Sequence, residues 1–211
     1  DKNMHVDFEN NNEIYVVAEI GMTHDGSFGL ASKLTESAIN SGVNVIKYQW
    51  HIADEETAIN APSTPNLTGE SRYEYFKRTE FSTSQFKKLA QQCLDSNVIP
   101  CVSVFSIESL KRALLADFKI IKIPSGEVTN VPLLREVAQT KLPVIISSGM
   151  SNWEELDNAL EILKNKNICV LQCSSTYPTA PENVGLNILN EIKTRYKIPY
   201  GLSDHTISGG T

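Results

Sequence analysis

Apolar and polar positions fall into blocks along this chain, and six of the apolar blocks end in polar residues. Each block is long enough for a strand buried on both faces, and charged, hydroxyl or amide side chains follow at its carboxyl end. The six segments are Val16–Gly21, Val45–Gln49, Ile120–Glu127, Val144–Met150, Val170–Ser175 and Tyr200–Thr206. Polar residues gathered at the carboxyl ends of parallel strands are typical of the active site of a (β/α)₈ barrel.

Amphipathic segments separate the apolar blocks, so the sequence predicts alternating strands and helices. Strands are predicted near 14–20, 43–49, 98–104, 119–123, 142–147, 168–173 and 198–202, and helices over 28–41, 82–96, 106–116, 131–140, 152–165 and 186–195. This alternation predicts an α/β (β/α)₈ TIM barrel with seven strands visible. A β-hairpin is predicted at the N-terminus, from residues 4–8 and 13–20. An open doubly wound sheet is the alternative, although it usually concentrates ligand contacts at one point.

Local signals mark several helix ends. Ser82 with Gln85 fits a capping box, as does Ser151 with Glu154, and Gly42 is expected to stop the first helix. Residues 50–80 show no regular pattern, and a loop of that length is usually functional, here as a lid.

Composition narrows the classes of partner. The chain has 211 residues, of which 41% are hydrophobic, and a net charge of −6, so we expect a single domain over residues 1–211. The acidic balance argues against nucleic acid and anionic membranes as partners. No apolar run approaches a transmembrane span.

The four cysteines form no C-x-x-C pair. We expect them to be buried thiols in a reducing cytoplasm.

Two lysines occupy apolar strands, where a cation is costly unless it meets an anion. Lys47 and Lys122 could together bind a phosphate or a carboxylate, with Ser125, Ser147 and Ser148 supplying hydroxyls. The alternative is that each lysine pairs with a carboxylate of the barrel, Glu19 or Glu127.

The remaining strand ends offer groups suited to a sugar and to a metal. Glu19 and Gln49 suit the hydroxyls and the N-acyl group of a sugar. His205 follows Asp204 at the seventh strand, and a lone histidine there is either a metal ligand or a hydrogen-bonded structural residue. Asp204 could orient His205 or bind the metal itself.

Seven motifs in order resemble those of the sialic acid (N-acetylneuraminate) synthase family, from about residue 14 onwards. They are Ala18–Gly21, Thr23–Gly26, Lys47–Gln49, Lys122–Glu127 with Thr129-Asn130, Ser147–Met150, Cys173–Pro178 and Ser203–Thr206. The resemblance implies a (β/α)₈ barrel that condenses phosphoenolpyruvate with an N-acetylmannosamine-type sugar. The products are phosphate and a nine-carbon 2-keto acid, and the cofactor is Mn²⁺ or Mg²⁺.

The resemblance also implies roles for individual residues. Glu19, Lys47 and Lys122 are the expected catalytic residues, and His205 is one of two expected histidine ligands of the metal. The expected substrate-binding residues are Gln49, Ser125, Glu127, Ser147, Ser148, Ser175, Tyr177, Ser203 and Asp204. Legionaminic or pseudaminic acid synthesis from a 2,4-diacetamido-trideoxyhexose is the alternative activity, and a non-catalytic sugar-binding barrel is a third.

The eighth strand of the family, which carries the second metal histidine, has no counterpart in this sequence. We therefore expect the 211 residues to be part of a longer polypeptide. The family resemblance adds an antifreeze-like C-terminal domain, through which two copies form a homodimer.

Overall fold

A computed structural model describes residues 6–9, 14–61, 69–164 and 166–206. The chain divides into two compact units. Of the described residues, the first unit contains those from Ile14 to Ile121, and the second contains residues 6–9 and those from Lys122 onwards.

Strands and helices alternate along both units. The strands are β1 (Val17–Gly21), β2 (Val45–Trp50), β3 (Ile99–Val104), β4 (Ile120–Ile123), β5 (Val144–Ser147), β6 (Ile168–Cys173) and β7 (Tyr200–Ser203). The helices are α1 (Phe28–Asn40), α2 (Ala53–Glu56), α3 (Arg72–Thr79), α4 (Thr83–Asp95), α5 (Ile107–Leu115), α6 (Val131–Gln139), α7 (Trp153–Ile162) and α8 (Leu186–Tyr196). Short 3₁₀ turns cover Ser125–Glu127 and Pro181–Asn183. The seven predicted barrel strands and the six predicted helices are each present within a few residues of their predicted ends.

The strand order equals the chain order, from β1 to β7. This sequential order confirms the α/β barrel class over the doubly wound alternative, because a doubly wound sheet reverses its strand order at a switch point. In the first unit β1, β2 and β3 pair in parallel, with Glu19 opposite Lys47 and Gln49 opposite Ser103. In the second unit β5, β6 and β7 also pair in parallel, with Cys173 opposite Ser203.

Most helices begin at residues whose side chains can accept hydrogen bonds from the free backbone N–H groups of the first turn. Ser82 and Gln85 form the predicted capping box of α4, and Gly42, at φ +77°, follows the end of α1. The predicted box of Ser151 with Glu154 is wrong by one residue. Asn152 caps α7 instead, accepting from the N–H of Glu155, whose carboxylate accepts from the N–H of Asn152.

The predicted N-terminal hairpin lies partly outside the described residues. Among those described, residues 6–9 and 14–16 belong to no strand. Asn167 holds the first of these segments, because its amide donates to the carbonyl of Val6 and accepts from the N–H of Phe8. The segment over residues 50–80, predicted as a loop, contains α2 and α3, and Ser71 with Glu74 forms the capping box of α3.

Aromatic side chains fill the space between the sheet and the helices of the first unit. Trp50 is fully buried, with its ring 4.2 Å from that of Phe86 and 6.2 Å from that of Phe118. The Tyr48 hydroxyl is hydrogen-bonded to that of Thr35 at 2.6 Å. Because side chains alternate along a strand, Lys47 and Gln49 lie on the opposite face of β2 from this core. No helix within the described ranges is both long and apolar enough to span a bilayer.

Replacing Trp50 with alanine should lower the free energy of unfolding by about 3–5 kcal/mol, since it removes the largest buried ring of this core. Urea unfolding followed by circular dichroism measures the change. Ile59→Ala is the matched control, because Ile59 is 76% exposed and its loss should cost under about 0.5 kcal/mol. Equal effects of the two substitutions would contradict the assignment of Trp50 to the core.

Candidate functional site

Two sets of polar side chains lie at the carboxyl ends of the strands, one in each unit. The first cluster comprises Glu19, Lys47, Gln49, His51 and Glu56, from β1, β2 and α2. The second cluster comprises Lys122, Ser125, Ser147, Gly149, Ser175, Ser203 and His205, from β4 to β7 and the turns that follow these strands.

Lys47 and Glu19 form an ion pair across β1 and β2. The parallel register brings them together, because Glu19 stands opposite Lys47. Lys47 is largely covered and Glu19 is more exposed. This pairing is the alternative that the sequence left open for Lys47, so an anionic ligand at Lys47 would compete with Glu19 for the ammonium group.

Gln49 is linked to a buried histidine. His51 Nε2 lies 3.2 Å from Gln49 Oε1, and His51 Nδ1 lies 2.5 Å from Glu56 Oε1. His51 and Glu56 were not predicted as site residues from the sequence. Their only sequence signal is a histidine and a glutamate five residues apart, directly after the predicted strand.

Lys122 is the most deeply buried cation of the second cluster. Only 5% of its surface is exposed, and its Nζ donates to Ser147 Oγ at 2.6 Å and to the carbonyl of Ile123 at 3.3 Å. A buried ammonium group needs oxygen acceptors because desolvation disfavours its charge. Lys122 and Ser147 therefore place a positive charge beside a hydroxyl at the ends of β4 and β5.

The two neighbouring serines of β5 and its loop point to different partners. Ser147 contacts Lys122, whereas Ser148 Oγ donates to Gln172 Oε1 at 3.2 Å. The amide nitrogen of Gln172 in turn donates to the carbonyl of Val184. Of the two serines, the structure brings Ser147 to Lys122. A substrate contact of Ser148 stays a prediction.

Gly149 leaves a small space between two hydroxyl groups. A Cβ added at this position would stand 2.7 Å from Ser125 Oγ, 2.8 Å from Ser175 Oγ and 3.0 Å from the carbonyl oxygen of Cys173. Only a residue without a side chain allows these three oxygens to approach so closely. Gly149 therefore brings Ser125 and Ser175, two predicted substrate-binding residues, to one place.

Gly149→Ala should destabilise the protein by about 1–3 kcal/mol, because the new methyl group overpacks a space bordered by oxygen atoms. Thermal unfolding monitored by calorimetry measures the loss. Gly29→Ala provides the control: Gly29 lies in α1 with open space around it, and alanine should raise stability by roughly 0.5–1 kcal/mol. A stable Gly149→Ala protein would refute the close approach of the two serines.

Two predicted carboxylates are engaged by local partners. Glu127 Oε2 accepts from the amide of Asn130 at 2.7 Å. Asp204 accepts from the backbone N–H of Thr206, which lowers the pKa of its carboxyl group, and from the Thr206 hydroxyl. Asp204 was expected to orient the His205 ring. In the structure the backbone carbonyl of Ser174 contacts the ring and orients it instead.

His205 has a defined orientation. Its Nδ1 lies 3.0 Å from the carbonyl oxygen of Ser174, an atom that can only accept, so Nδ1 carries the donated proton. The Tyr177 ring lies 4.2 Å from the imidazole, and Ser203 Oγ is 3.5 Å from Nε2. The structure thus brings together Tyr177, Ser203 and His205, all predicted from the sequence.

A histidine that binds a metal usually donates its other ring N–H to a carbonyl or a carboxylate. His205 meets this requirement, since its Nδ1–H bonds Ser174. In the neutral ring a metal would bind Nε2, in place of the Ser203 hydroxyl that lies 3.5 Å from it. Within the described ranges, no three His, Cys, Asp or Glu side chains group together as a metal site. The described residues therefore offer a metal one nitrogen ligand, Nε2 of His205.

Two thiols have pKa values well above neutral pH. Burial raises the pKa of Cys169 to about 12, with nearby Lys122 opposing part of that rise, and burial raises the pKa of Cys93 to about 11. Neither is a thiolate near neutral pH, and the thiolate is the reactive form. Cysteine chemistry at these two positions is therefore excluded.

Comparison with protein-family models identifies the NeuB family over residues 34–211. The chain belongs to the NeuB family. Two NeuB relatives, both named N,N'-diacetyllegionaminic acid synthase, are each 32% identical to it. The one from Campylobacter jejuni aligns over 90% of this chain and 60% of its own length, and the one from Legionella pneumophila over 92% and 58%. The chain spans about three-fifths of the length of these curated relatives.

Among solved structures, the NeuB chain is similar to an N-acetylneuraminic acid (sialic acid) synthetase from Leptospira borgpetersenii in complex with citrate. The two share 27% identity with a TM-score of 0.79, and the match covers 92% of this chain and 66% of the other. The resemblance to sialic acid synthases that the motifs predicted is confirmed. The substrate contacts expected of individual residues stay predictions.

Proposed function

We propose that this NeuB-family protein condenses phosphoenolpyruvate with an N-acylated amino sugar, giving a nine-carbon 2-keto sugar acid and phosphate. Its membership of the family, with relatives named as synthases of this kind, supports the reaction class. The observation that carries the assignment to this chain is Lys122, a buried cation that donates to Ser147 in an otherwise acidic protein.

In this proposal the second cluster recognises phosphoenolpyruvate. The phosphate and carboxylate groups accept charge-assisted hydrogen bonds, which are stronger than neutral ones. Lys122 would supply the charge, and Ser147, Ser125 and Ser175 would supply hydroxyl donors around it. The close approach of Ser125 and Ser175 at Gly149 supports a shared anionic ligand, since both hydroxyls reach one small space.

The first cluster would recognise the amino sugar. Gln49 offers an amide to the N-acyl group, and Glu19 offers a carboxylate to a hydroxyl or an N–H group. Lys47 would bind an anion or keep Glu19 ionised through their ion pair. A carboxylate close to the reacting carbon could also stabilise the positive charge that develops after carbon–carbon bond formation.

We further propose that the enzyme depends on Mn²⁺ or Mg²⁺, with His205 Nε2 as one ligand. When bound, such a cation polarises the aldehyde oxygen of the sugar during attack by the enol carbon. Ser174 holds the imidazole in the tautomer that leaves Nε2 free of a proton. The Tyr177 ring packs beside the imidazole and restricts its rotation.

N,N'-diacetyllegionaminic acid synthesis is the second candidate. Two relatives at 32% identity carry that name, whereas the sialic acid synthetase is 27% identical. The two candidates differ in the substituents at C4 and C6 of the acceptor sugar. A non-catalytic sugar-binding role is disfavoured, because a binding module has no need for a buried lysine suited to a phosphate.

Phosphate release tests the proposal directly. The protein is incubated with phosphoenolpyruvate, Mn²⁺ and one of three sugars: N-acetylmannosamine, its 6-phosphate, or a 2,4-diacetamido-trideoxyhexose. We expect sugar-dependent phosphate release with one of them, together with a new 2-keto acid detected by mass spectrometry. Binding of a sugar without phosphate release in any mixture would favour the non-catalytic barrel and overturn the proposal.

We also propose that the protein acts as a homodimer in the reducing cytoplasm. The four cysteines are thiols, not disulfides, and Cys93, Cys101 and Cys173 are buried, which supports a reducing compartment. Light scattering coupled to size-exclusion chromatography measures the assembly, and a monomer at micromolar concentration would contradict the dimer.

A further inference from the structure

His51 is enclosed by two aromatic rings in the first unit. The imidazole is 7% exposed and lies between Phe76 of α3, at 4.0 Å with 10° between the planes, and Phe105 after β3, at 3.8 Å with 24°. Contact on both ring faces prevents the imidazole from tilting. Its two nitrogens, which lie in the ring plane, are the positions left for hydrogen bonding.

Both nitrogens are used. Glu56 Oε1 lies 2.5 Å from Nδ1, and a carboxylate only accepts, so Nδ1 donates to it. Nε2 lies 3.2 Å from Gln49 Oε1, and an amide oxygen also only accepts, so Nε2 donates to it. With both nitrogens donating, the ring is an imidazolium paired with the Glu56 carboxylate. Glu56 itself is sheltered, with a side chain 7% exposed. The three residues form a chain of hydrogen bonds that runs from α2 to β2.

This chain determines which end of the Gln49 amide faces β1. With Oε1 held by His51, the amide nitrogen lies 3.4 Å from the point where a Cβ on Gly21 would stand. Glu19 Oε1 lies 3.0 Å from the same point. A donor from Gln49 and an acceptor from Glu19 therefore flank one position beside Gly21.

A secondary amide presents the complementary pair, a carbonyl acceptor and an N–H donor. We propose that His51 and Glu56 are positioning residues that fix the Gln49 amide so that its NH₂ group, beside the Glu19 carboxylate, receives the N-acyl group of the acceptor sugar. This inference rests on the proposed function for the identity of the ligand. An amide released from His51 could rotate and present its oxygen instead, which would repel the acyl carbonyl.

The test separates hydrogen bonding from packing. His51→Phe keeps an aromatic ring between Phe76 and Phe105 but removes both hydrogen bonds, and Glu56→Gln removes only the charge of the distal partner. We expect each substitution to raise KM for the amino sugar, by roughly tenfold for His51→Phe, with KM for phosphoenolpyruvate unchanged. Glu55→Gln is the matched control, since Glu55 is exposed on the same helix and its variant should resemble the parent.

Coupling to Gln49 distinguishes positioning from a general structural role. If His51 acts through Gln49, the double variant Q49A/H51F should have the same KM for the sugar as Q49A alone. Fully additive effects, or an equal rise in KM for phosphoenolpyruvate, would overturn the proposal. If His51→Phe does not fold, Q49A/E56Q replaces Q49A/H51F in this test. Its KM for the sugar should again equal that of Q49A.

A readout without turnover keeps this inference separate from the proposed function. The side-chain NH₂ resonances of Gln49 are assigned in ¹H–¹⁵N spectra by their loss in Gln49→Ala. They should shift in His51→Phe and Glu56→Gln and stay in place in Glu55→Gln. Unchanged resonances in the first two variants would refute the positioning role even in an active enzyme. Shifted resonances in a protein that turns over no sugar would refute the proposed function alone.

Discussion

Replacing Lys122 with alanine should reduce kcat/KM for phosphoenolpyruvate by about 30- to 1000-fold, or roughly 2–4 kcal/mol of transition-state stabilisation. The ammonium group is buried and donates to Ser147, so no solvent-exposed cation can take its place without moving the backbone. A charge-assisted bond in a sheltered site is stronger than one in water, because little solvent competes for it. Steady-state phosphate release at varied phosphoenolpyruvate measures the loss.

Two controls separate lost binding from lost folding. Lys164→Ala removes a lysine that is 61% exposed and paired with Glu161 on the surface, and it should leave the kinetics unchanged. Lys122→Met keeps most of the side-chain volume while removing the charge, and it should lose as much activity as alanine but less stability. Kinetics of Lys122→Met that match those of the parent protein would remove Lys122 from the phosphoenolpyruvate site.

The fold could be predicted because each predicted strand contains a continuous apolar run and each predicted helix is amphipathic. The strand at residues 168–173 was predicted with both of its ends correct. Local errors arose where two residues compete for one role. Ser151 and Asn152 are both good caps, and only the backbone geometry shows that Asn152 precedes the first helical turn. Helix α3 escaped prediction because its sequence, Arg72–Thr79, is mostly polar and lacks a wide apolar face.

The residues of the candidate site were more predictable than their partners. Polar side chains at strand ends are visible in the sequence, and Lys47, Lys122 and His205 were identified in that way. Their contacts depend on register and on which face each side chain occupies. Ser147 ends and Ser148 follows a strand buried on both faces, so no polar alternation shows which of them meets Lys122.

Residues distant in sequence were the hardest to connect. The link from Gln49 through His51 to Glu56 also needs Phe76 and Phe105, which come from a helix and a loop far along the chain. No local pattern encodes that enclosure. The orientation of His205 likewise depends on the carbonyl of Ser174, 31 residues earlier, and a backbone acceptor leaves no mark on the sequence.

Removal of divalent metal should abolish turnover, and His205→Ala should prevent its recovery. Chelation of the parent protein is expected to stop sugar-dependent phosphate release, which added Mn²⁺ restores. The imidazole is already oriented for a ligand bond, with Nδ1–H donated to Ser174 and Nε2 free of a proton. Residues that only hydrogen-bond to a metal ligand commonly contribute about 10- to 100-fold to metal affinity. Loss of the ligand nitrogen itself should therefore weaken Mn²⁺ binding by at least about tenfold.

Manganese binding measured by electron paramagnetic resonance provides a readout that does not depend on activity. His205→Asn is the informative companion variant, because its amide can still donate to the Ser174 carbonyl while lacking a nitrogen at the Nε2 position. A purely structural histidine would be rescued by asparagine, whereas a metal ligand would not. Full turnover in chelator, or an unchanged Mn²⁺ affinity in His205→Ala, would exclude His205 as a metal ligand.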